Sequence, residues 1–333
     1  MAFYSLGPGW GGVMMMGSHS KFHNNCLRDV FISIVGDASF ALFSSFVLFA
    51  VIGVMAAEIG VPVEDVVNSG MSIGLVGYSR AFTYLPAPYV WAVLFFFSVT
   101  MVGLDAETVC TETVVSFLEG FGKRLGRHSH LLSVLLICLI TFLLNLPFCT
   151  QAGPYMFQLV DWYLPTWSVV IIALLQVITM MWLYGGDRLD YGIRDMIGRK
   201  MPHVFRIAAS FLSPMLLLLL LSISFVKYRP PKYGSYVYPE YTRVIGWILS
   251  CSVVLPIPLF MIWKFCYLQG TFKEKLNLLT RPTGDWGPSD SAYRLDYLKR
   301  VQTKRSLADQ AYYNLTGRLR YSAKHHCETL PMS

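Results

Sequence analysis

Phe3-Tyr-Ser-Leu-Gly-Pro-Gly-Trp-Gly-Gly12 is the stretch from which the rest of the chain can be read. It opens as an apolar, aromatic segment and then loses the means of staying helical. Gly7, Pro8 and Gly9 in succession would cost a continuous helix several kcal/mol, because proline lacks an N–H and glycine gives up backbone entropy. In hydrocarbon an opened backbone persists only where protein buries it or where it lines a cavity. There its carbonyls can face a cation and its helix ends a charged solute. The residues alone leave two readings open: a helix broken at a substrate site, and a plain loop ahead of the first span. A phosphate-binding loop is the poorer third, since no strand precedes it and no Lys-Ser/Thr follows.

Outward from that stretch, the composition decides the class. Of 333 residues, 54% are hydrophobic and only 14% charged, whereas a soluble domain carries roughly a quarter of its residues as Asp, Glu, Lys and Arg. The apolar residues fall into blocks of about 20, enough to cross a hydrocarbon core of about 30 Å. The blocks are 30–57, interrupted by Asp37; 89–118, carrying Asp105, Glu107 and Glu112; 131–148; 154–184, carrying Asp161; 207–226; and 244–263. With 1–17 too short to span, the expectation is six full spans and one partial one. The fold class is all-α, a multi-span membrane helix bundle. A secreted domain, a cytosolic enzyme and a disordered regulator are excluded.

The net charge of +7 would suit nucleic acid in a soluble protein, but here it reports topology. Loops of one parity, 18–29, 121–130, 185–206 and everything from 264 on, hold 22 of the 27 Lys and Arg residues. By the positive-inside bias they are cytosolic, with 58–88 outside; the locally basic loop 227–243 argues weakly the other way. The first residues carry no secretory signal pattern. Val61-Pro-Val-Glu-Asp-Val-Val67 reads as a short outer helix with proline near its start. The tail, 269–333, is expected to have little fixed structure, and its Asn314-Leu-Thr316 sequon is discounted on the cytosolic side. The seven cysteines suggest no disulfide framework.

The opening stretch followed by Ser20-Lys-Phe-His-Asn-Asn-Cys-Leu-Arg-Asp29 resembles the sixth helix and following loop of the neurotransmitter:sodium symporters. The resemblance continues through Trp91-Ala-Val-Leu-Phe-Phe, Gly103-Leu-Asp105, Trp182-Leu-Tyr-Gly185, Tyr228-Arg-Pro-Pro-Lys-Tyr-Gly234, Ile245-Gly-Trp247, Lys264-Phe-Cys266 and Phe272-Lys-Glu-Lys-Leu276. It implies the second inverted repeat of the leucine-transporter fold, without its first half-helix, plus two further helices. The expected organisation is a transporter domain over 1–268 and a cytosolic tail over 269–333, in the plasma membrane. On this reading the first repeat lies outside the chain, which is then a fragment or a truncated form.

The resemblance also implies site residues. Tyr4 would lid the solute and Trp10 floor it; Ser5 would serve the first sodium site and the chloride site; Gly7 would meet the solute; Ala106 and Cys110 would line the far wall. Asp161 would be the outer gate acid, its Arg partner belonging to a first helix outside this chain, with Tyr4 as a further gate residue. Sodium ligands would be Ser5, Asp37, Val102 and Asp105. Five positions depart from the family pattern: Asp37 stands for Asn, Ala41 for the chloride Ser, Ala106 for Ser, Gly120 for the inner-gate Asp with Glu119 one residue early, and Tyr78-Ser-Arg-Ala81 for Tyr-Pro-Glu-Ala. A carboxylate within a span is costly and calls for a cavity, an ion or a basic partner. Asp37 and Ala41 together are expected to make a fixed charge do chloride's work, leaving chloride as an uncertain co-substrate beside co-transported sodium.

Glu107 and Glu112 are expected to face the bundle. His19, His23, His128 and His130 are read as loop residues rather than metal ligands, and His325-His-Cys327 as tail composition. Lys273, Lys275 and Arg281 follow from the positive-inside bias. The leading function is sodium-coupled symport of neurotransmitter, amino-acid or amine-like solutes by alternating access, with a small-molecule solute and the lipid bilayer as partners, no nucleic acid and no enzymatic chemistry. The second reading is a non-transporting truncated partner of a full symporter, in a homo- or hetero-oligomer. A seven-span receptor fails for want of Asp-Arg-Tyr and Asn-Pro-x-x-Tyr motifs.

Overall fold

The computed structural model describes residues 2–60, 62–63, 78–83, 85–121, 127–233, 236–280, 282, 286–288, 293–294, 297 and 306–319. Most of the expected outer helix at 61–67 lies outside them. Five described helices are long and apolar enough to cross a membrane, six if a broken pair is counted as one span. That pair is Glu240–Val254 and Pro256–Tyr267, where the expected block 244–263 is interrupted ahead of Pro256; proline cannot donate to the preceding turn. The chain divides into two compact units.

The first unit takes Met1–Lys21, Arg28–Val169 and Lys227–Val253. Its opening stretch is two short helices, Ala2–Ser5 and Gly12–Ser18, with non-helical backbone between them. The long helices Cys26–Ile59 and Pro88–Phe121 have 34 residues each, about 50 Å at 1.5 Å per residue. The helix Arg127–Asn145 packs along the second of these and ends in a 3-10 turn, Leu146–Cys149. The chain then reverses into Gly153–Tyr163, where a Cβ on Gly153 would lie 1.9 Å from the Phe148 carbonyl oxygen, so only glycine fits.

At Pro165 the helix widens into a π-helix, Leu164–Val169. Around it sits the unit's aromatic core. Tyr163, Trp167, Tyr228 and Trp247 pack with ring centroids 5.1–6.4 Å apart, and the Tyr163 and Tyr228 hydroxyls meet at 2.5 Å. Gly246 lets Tyr163 lie flat on the helix: a Cβ there would be 2.3 Å from the ring. A two-stranded antiparallel ribbon, Lys232–Tyr233 with Tyr236–Val237, stacks its tyrosines on Tyr155, whose carbonyl accepts from Tyr238 at 2.8 Å.

The second unit takes Phe22–Leu27, Val170–Val226 and Val254–Ser333. Helix Val170–Ile178 packs against Ser213–Val226. Two more π-helices follow the same logic as the first, Thr179–Gly185 and Ala208–Leu212. A π-turn loosens carbonyls from the regular ladder, and in each case a side chain supplies a donor. Ser250 Oγ donates to Tyr163 O at 2.8 Å beside the first, Asn314 Nδ2 to Met181 O at 3.1 Å within the second, and Trp182 Nε1 to Ser210 O at 3.0 Å within the third.

The expectation of an unstructured tail is corrected. Phe272–Leu279 and Leu307–Thr316 are helices, each opened by a capping box, Thr271 with Glu274 and Ser306 with Asp309. The second docks into its unit and buries Gln310, Tyr313 and Asn314. Tyr313 donates to Asp190 Oδ2 at 2.6 Å, the Met201 amide to Asp190 Oδ1 at 2.5 Å, and the Arg206 guanidinium lies 5.2 Å from the Tyr313 ring. The bond from Asn314 Nδ2 to Met181 O at 3.1 Å adds to this polar interface, which hydrophobic composition does not register.

Candidate functional site

The break in the opening stretch is real and is made by glycine. Gly7, Gly9 and Gly11 take φ of 61°, 83° and 87°, a left-handed run that side chains with a Cβ resist. Only loose turns span it, Gly7 N donating to Tyr4 O at 3.2 Å and Trp10 N to Gly7 O at 3.4 Å. Past the break, Gly11 and Gly12 bring the next helix onto Pro88–Phe121. A Cβ on Gly11 would lie 3.2 Å from Thr113 Cγ2, and one on Gly12 only 2.8 Å from Val109 Cγ1. Sequence reasoning missed this seam, although a Gly-Gly pair before an apolar helix signals close approach.

The structure brings together one of the expected pairs. Ser5 Oγ donates a hydrogen bond to Asp37 Oδ1, tying the broken helix to the span Cys26–Ile59. The pair offers a hydroxyl and a carboxylate beside an opened backbone, hard oxygen donors of the kind an alkali cation takes. Ala41 lies one turn beyond Asp37 and contributes no donor, though its carbonyl accepts from Ser45 at 2.7 Å.

Val102, Asp105, Ala106 and Cys110 are exposed along Pro88–Phe121, Val102 by 71%. Trp10 is exposed by 54%, and Gly7 keeps space beside it, with a Cβ there 3.8 Å from Trp10 Cδ1. No group of three His, Cys, Asp or Glu among the described residues is placed to hold a metal ion. The acids of Pro88–Phe121 find histidines instead. Glu112 lies 3.9 Å from His19 Nε2, and Glu119 meets His130 Nδ1 at 2.8 Å. His19 and His130 thus contact this helix while their side chains stay exposed, by 62% and 42%. Glu107 is exposed, against the expectation that it faces the bundle.

Comparison with known proteins bears on the same stretches. The profile of the Sodium:neurotransmitter symporter family matches residues 1–268. The chain is 38% identical over 301 residues to the sodium- and chloride-dependent glycine transporter 2 of Xenopus laevis, covering 90% of this chain and 38% of that protein. It is 35% identical over 306 residues to glycine transporter 1 of the same organism, covering 91% and 48%. It is 35% identical over 288 residues to the sodium-dependent dopamine transporter of Bos taurus, covering 86% and 41%. The chain spans less than half the length of each of these relatives. With the broken helix, the apolar spans and this match in agreement, the chain belongs to the sodium:neurotransmitter symporter family, a family of transporters and not of enzymes.

Proposed function

We propose that this chain is the C-terminal part of a sodium-coupled symporter that moves amino-acid or amine-like solutes across the plasma membrane by alternating access. The observation that carries the reading is the hydrogen bond from Ser5 to Asp37 across the break. It supports a first sodium site built from Ser5, Asp37 and opened backbone, with Tyr4 and Trp10 about the solute, Gly7 and Cys110 on the pocket wall, and Asp161 gating with Tyr4. A second sodium site would use Asp105 with Val102, beside Ala106. Sodium is cargo here. The fixed charge of Asp37 stands in for chloride, so coupling proceeds without the anion. The transporter domain is 1–268, and the tail 269–333 lies in the cytosol.

The second reading is a non-transporting partner that pairs with a complete symporter. Ala41, Ala106 and Gly120 favour it, since each lacks a polar group expected at an ion or gate position. The mass of the native protein, detected through the tail 289–333, separates the two. A species near twice 37.6 kDa supports the symporter, and sodium-dependent uptake by it is then the direct test. A species near 37.6 kDa with no uptake of its own favours the partner.

A further inference from the structure

The tail helix Leu307–Thr316 is docked with its polar face inward. Gln310, Tyr313 and Asn314 are buried against their own unit, while Leu307, Ala308, Tyr312 and Leu315 are exposed, Leu307 by 64% and Leu315 by 52%. Leu307, Ala311 and Leu315 recur at four-residue spacing, which sets them on one side of the helix. Leu319, past the cap at Gly317, repeats the interval and is exposed as well. A helix surrounded by water turns such a stripe toward its core. Here the stripe faces away from the residues that hold the helix.

Depth and charge decide what covers it. Asn314 Nδ2 donates to Met181 O, near the end of the apolar block 154–184, and Arg206, in the first turn of the span His203–Val226, donates to Asn314 O at 3.4 Å. The helix is therefore held at the ends of two spans, where a bilayer gives way to water. An interfacial helix buries its apolar face about 5–10 Å into that boundary.

Between residues 297 and 327 the chain carries seven Lys or Arg residues against one acid, Asp309, whose carboxylate accepts from the Ser306 amide in the capping box. Lys304 and Arg305 lead into the helix, and Arg318 and Arg320 follow it. All seven lie more than 30 residues past Tyr267, where the last span ends, beyond the roughly 15–20 residues over which the positive-inside bias is counted. An apolar stripe bracketed by bases complements an anionic lipid surface. A second copy of the same face would meet it with like charge.

We propose that the tail helix is an interfacial anchor: Leu307, Ala311 and Leu315 enter the acyl boundary of the bilayer, and the bracketing Lys and Arg residues meet the headgroups of anionic lipid. The proposal rests on the cytosolic reading of 269–333 only for which leaflet the helix meets.

Hydrogen exchange of the backbone amides in 307–316 tests it, on the full chain in nanodiscs of phosphatidylcholine alone and of phosphatidylcholine mixed with phosphatidylserine. Exchange at least about fivefold slower with phosphatidylserine is expected, the effect of one Lys or Arg at an anionic surface. Molar salt removes the difference by screening. The double variant Leu307→Gln, Leu315→Gln, which alters only exposed positions, also removes most of it. A nanodisc presents both leaflets, so this outcome is the same on either side; an antibody to 289–333, applied to intact and permeabilised cells, reports the side separately. In vesicles of the mixed lipid, Leu315→benzoylphenylalanine should photolabel phospholipid. Equal exchange in the two lipids, no lipid adduct, or an adduct to a second copy of the chain in its place overturns the proposal.

Discussion

Ser5 and Asp37, 32 positions apart, are joined by a hydrogen bond in which the hydroxyl of the broken helix donates to the carboxylate of the first long span. The role proposed for Asp37, a negative charge supplied by the protein in place of chloride, makes transport independent of the anion outside. Replacing chloride by gluconate should leave at least half of the sodium-dependent uptake of the assembled transporter. Asp37→Asn, which removes the charge and keeps the shape, should lower uptake about tenfold, a loss of about 1.4 kcal/mol. Tracer uptake in the two media checks both. An unmodified protein that stops transporting without chloride contradicts the assignment.

The seam between Gly12 and Val109 leaves no room for a side chain. Gly12→Val should destabilise the protein by about 1–3 kcal/mol, the usual cost of overpacking a closed contact. Val109→Ala in the same chain should recover much of that loss, because it clears the atom that a Cβ would strike. A double-mutant cycle by thermal unfolding in detergent measures the coupling. Additive effects would mean that Gly12 is needed only for its backbone.

Ser250 and Ser168 bridge the first π-helix. Ser250 donates to Tyr163 O at 2.8 Å while its own carbonyl accepts from Ser168 at 2.9 Å. Ser250→Ala leaves a buried carbonyl without its side-chain donor and should cost about 1–3 kcal/mol. Ser252→Ala, whose exposed hydroxyl donates to Leu249 O within its own helix, should cost far less. Unfolding midpoints of the two variants give the comparison.

The Tyr313 phenol is pushed well above the ordinary tyrosine range, first by burial, then by its hydrogen bond to Asp190 and that residue's charge, with Arg206 opposing. A raised value in the folded state means that the docked helix holds its proton longer than the undocked one. The stabilisation is fully present below the unfolded value, about pH 10, and is lost as pH rises through the folded one. The docked tail should therefore loosen above about pH 10, read as faster hydrogen exchange in 307–316. Tyr313→Phe should weaken docking at neutral pH by about 1–3 kcal/mol and flatten that alkaline dependence. A steep alkaline loss that survives in Tyr313→Phe would assign it to another group.

The spans and the broken helix were legible because hydrocarbon enforces simple rules: long apolar runs, and glycine or proline where a run must open. The tail helix was not, for a definite reason. Its buried face carries Gln310, Tyr313 and Asn314, while Leu307, Tyr312 and Leu315 point outward, so hydrophobic periodicity searches the wrong side. The usable signals were local, Ser306 with Asp309 at one end and Gly317, with φ of 71°, at the other. The π-helices were illegible for another reason. Pro165 hints at the first, but each persists through a partner distant in sequence, such as Ser250 for Tyr163 or Asn314 for Met181. The family motifs Tyr228 and Ile245-Gly-Trp247 pack around Tyr163.

Asn314 reaches past the bend to Met181, inside the segment that sequence alone assigns to the membrane. Cutting the chain anywhere before residue 314 therefore removes a donor from a helix long and apolar enough to span a membrane, along with the tail itself. Truncation scans of such tails are customarily scored as defects of delivery to the cell surface. Here a shortened protein would arrive with a loosened carbonyl in its span, and surface counts alone would miss the injury. Tags grafted between residues 306 and 319 carry the same hazard, turning a reporter into a perturbation.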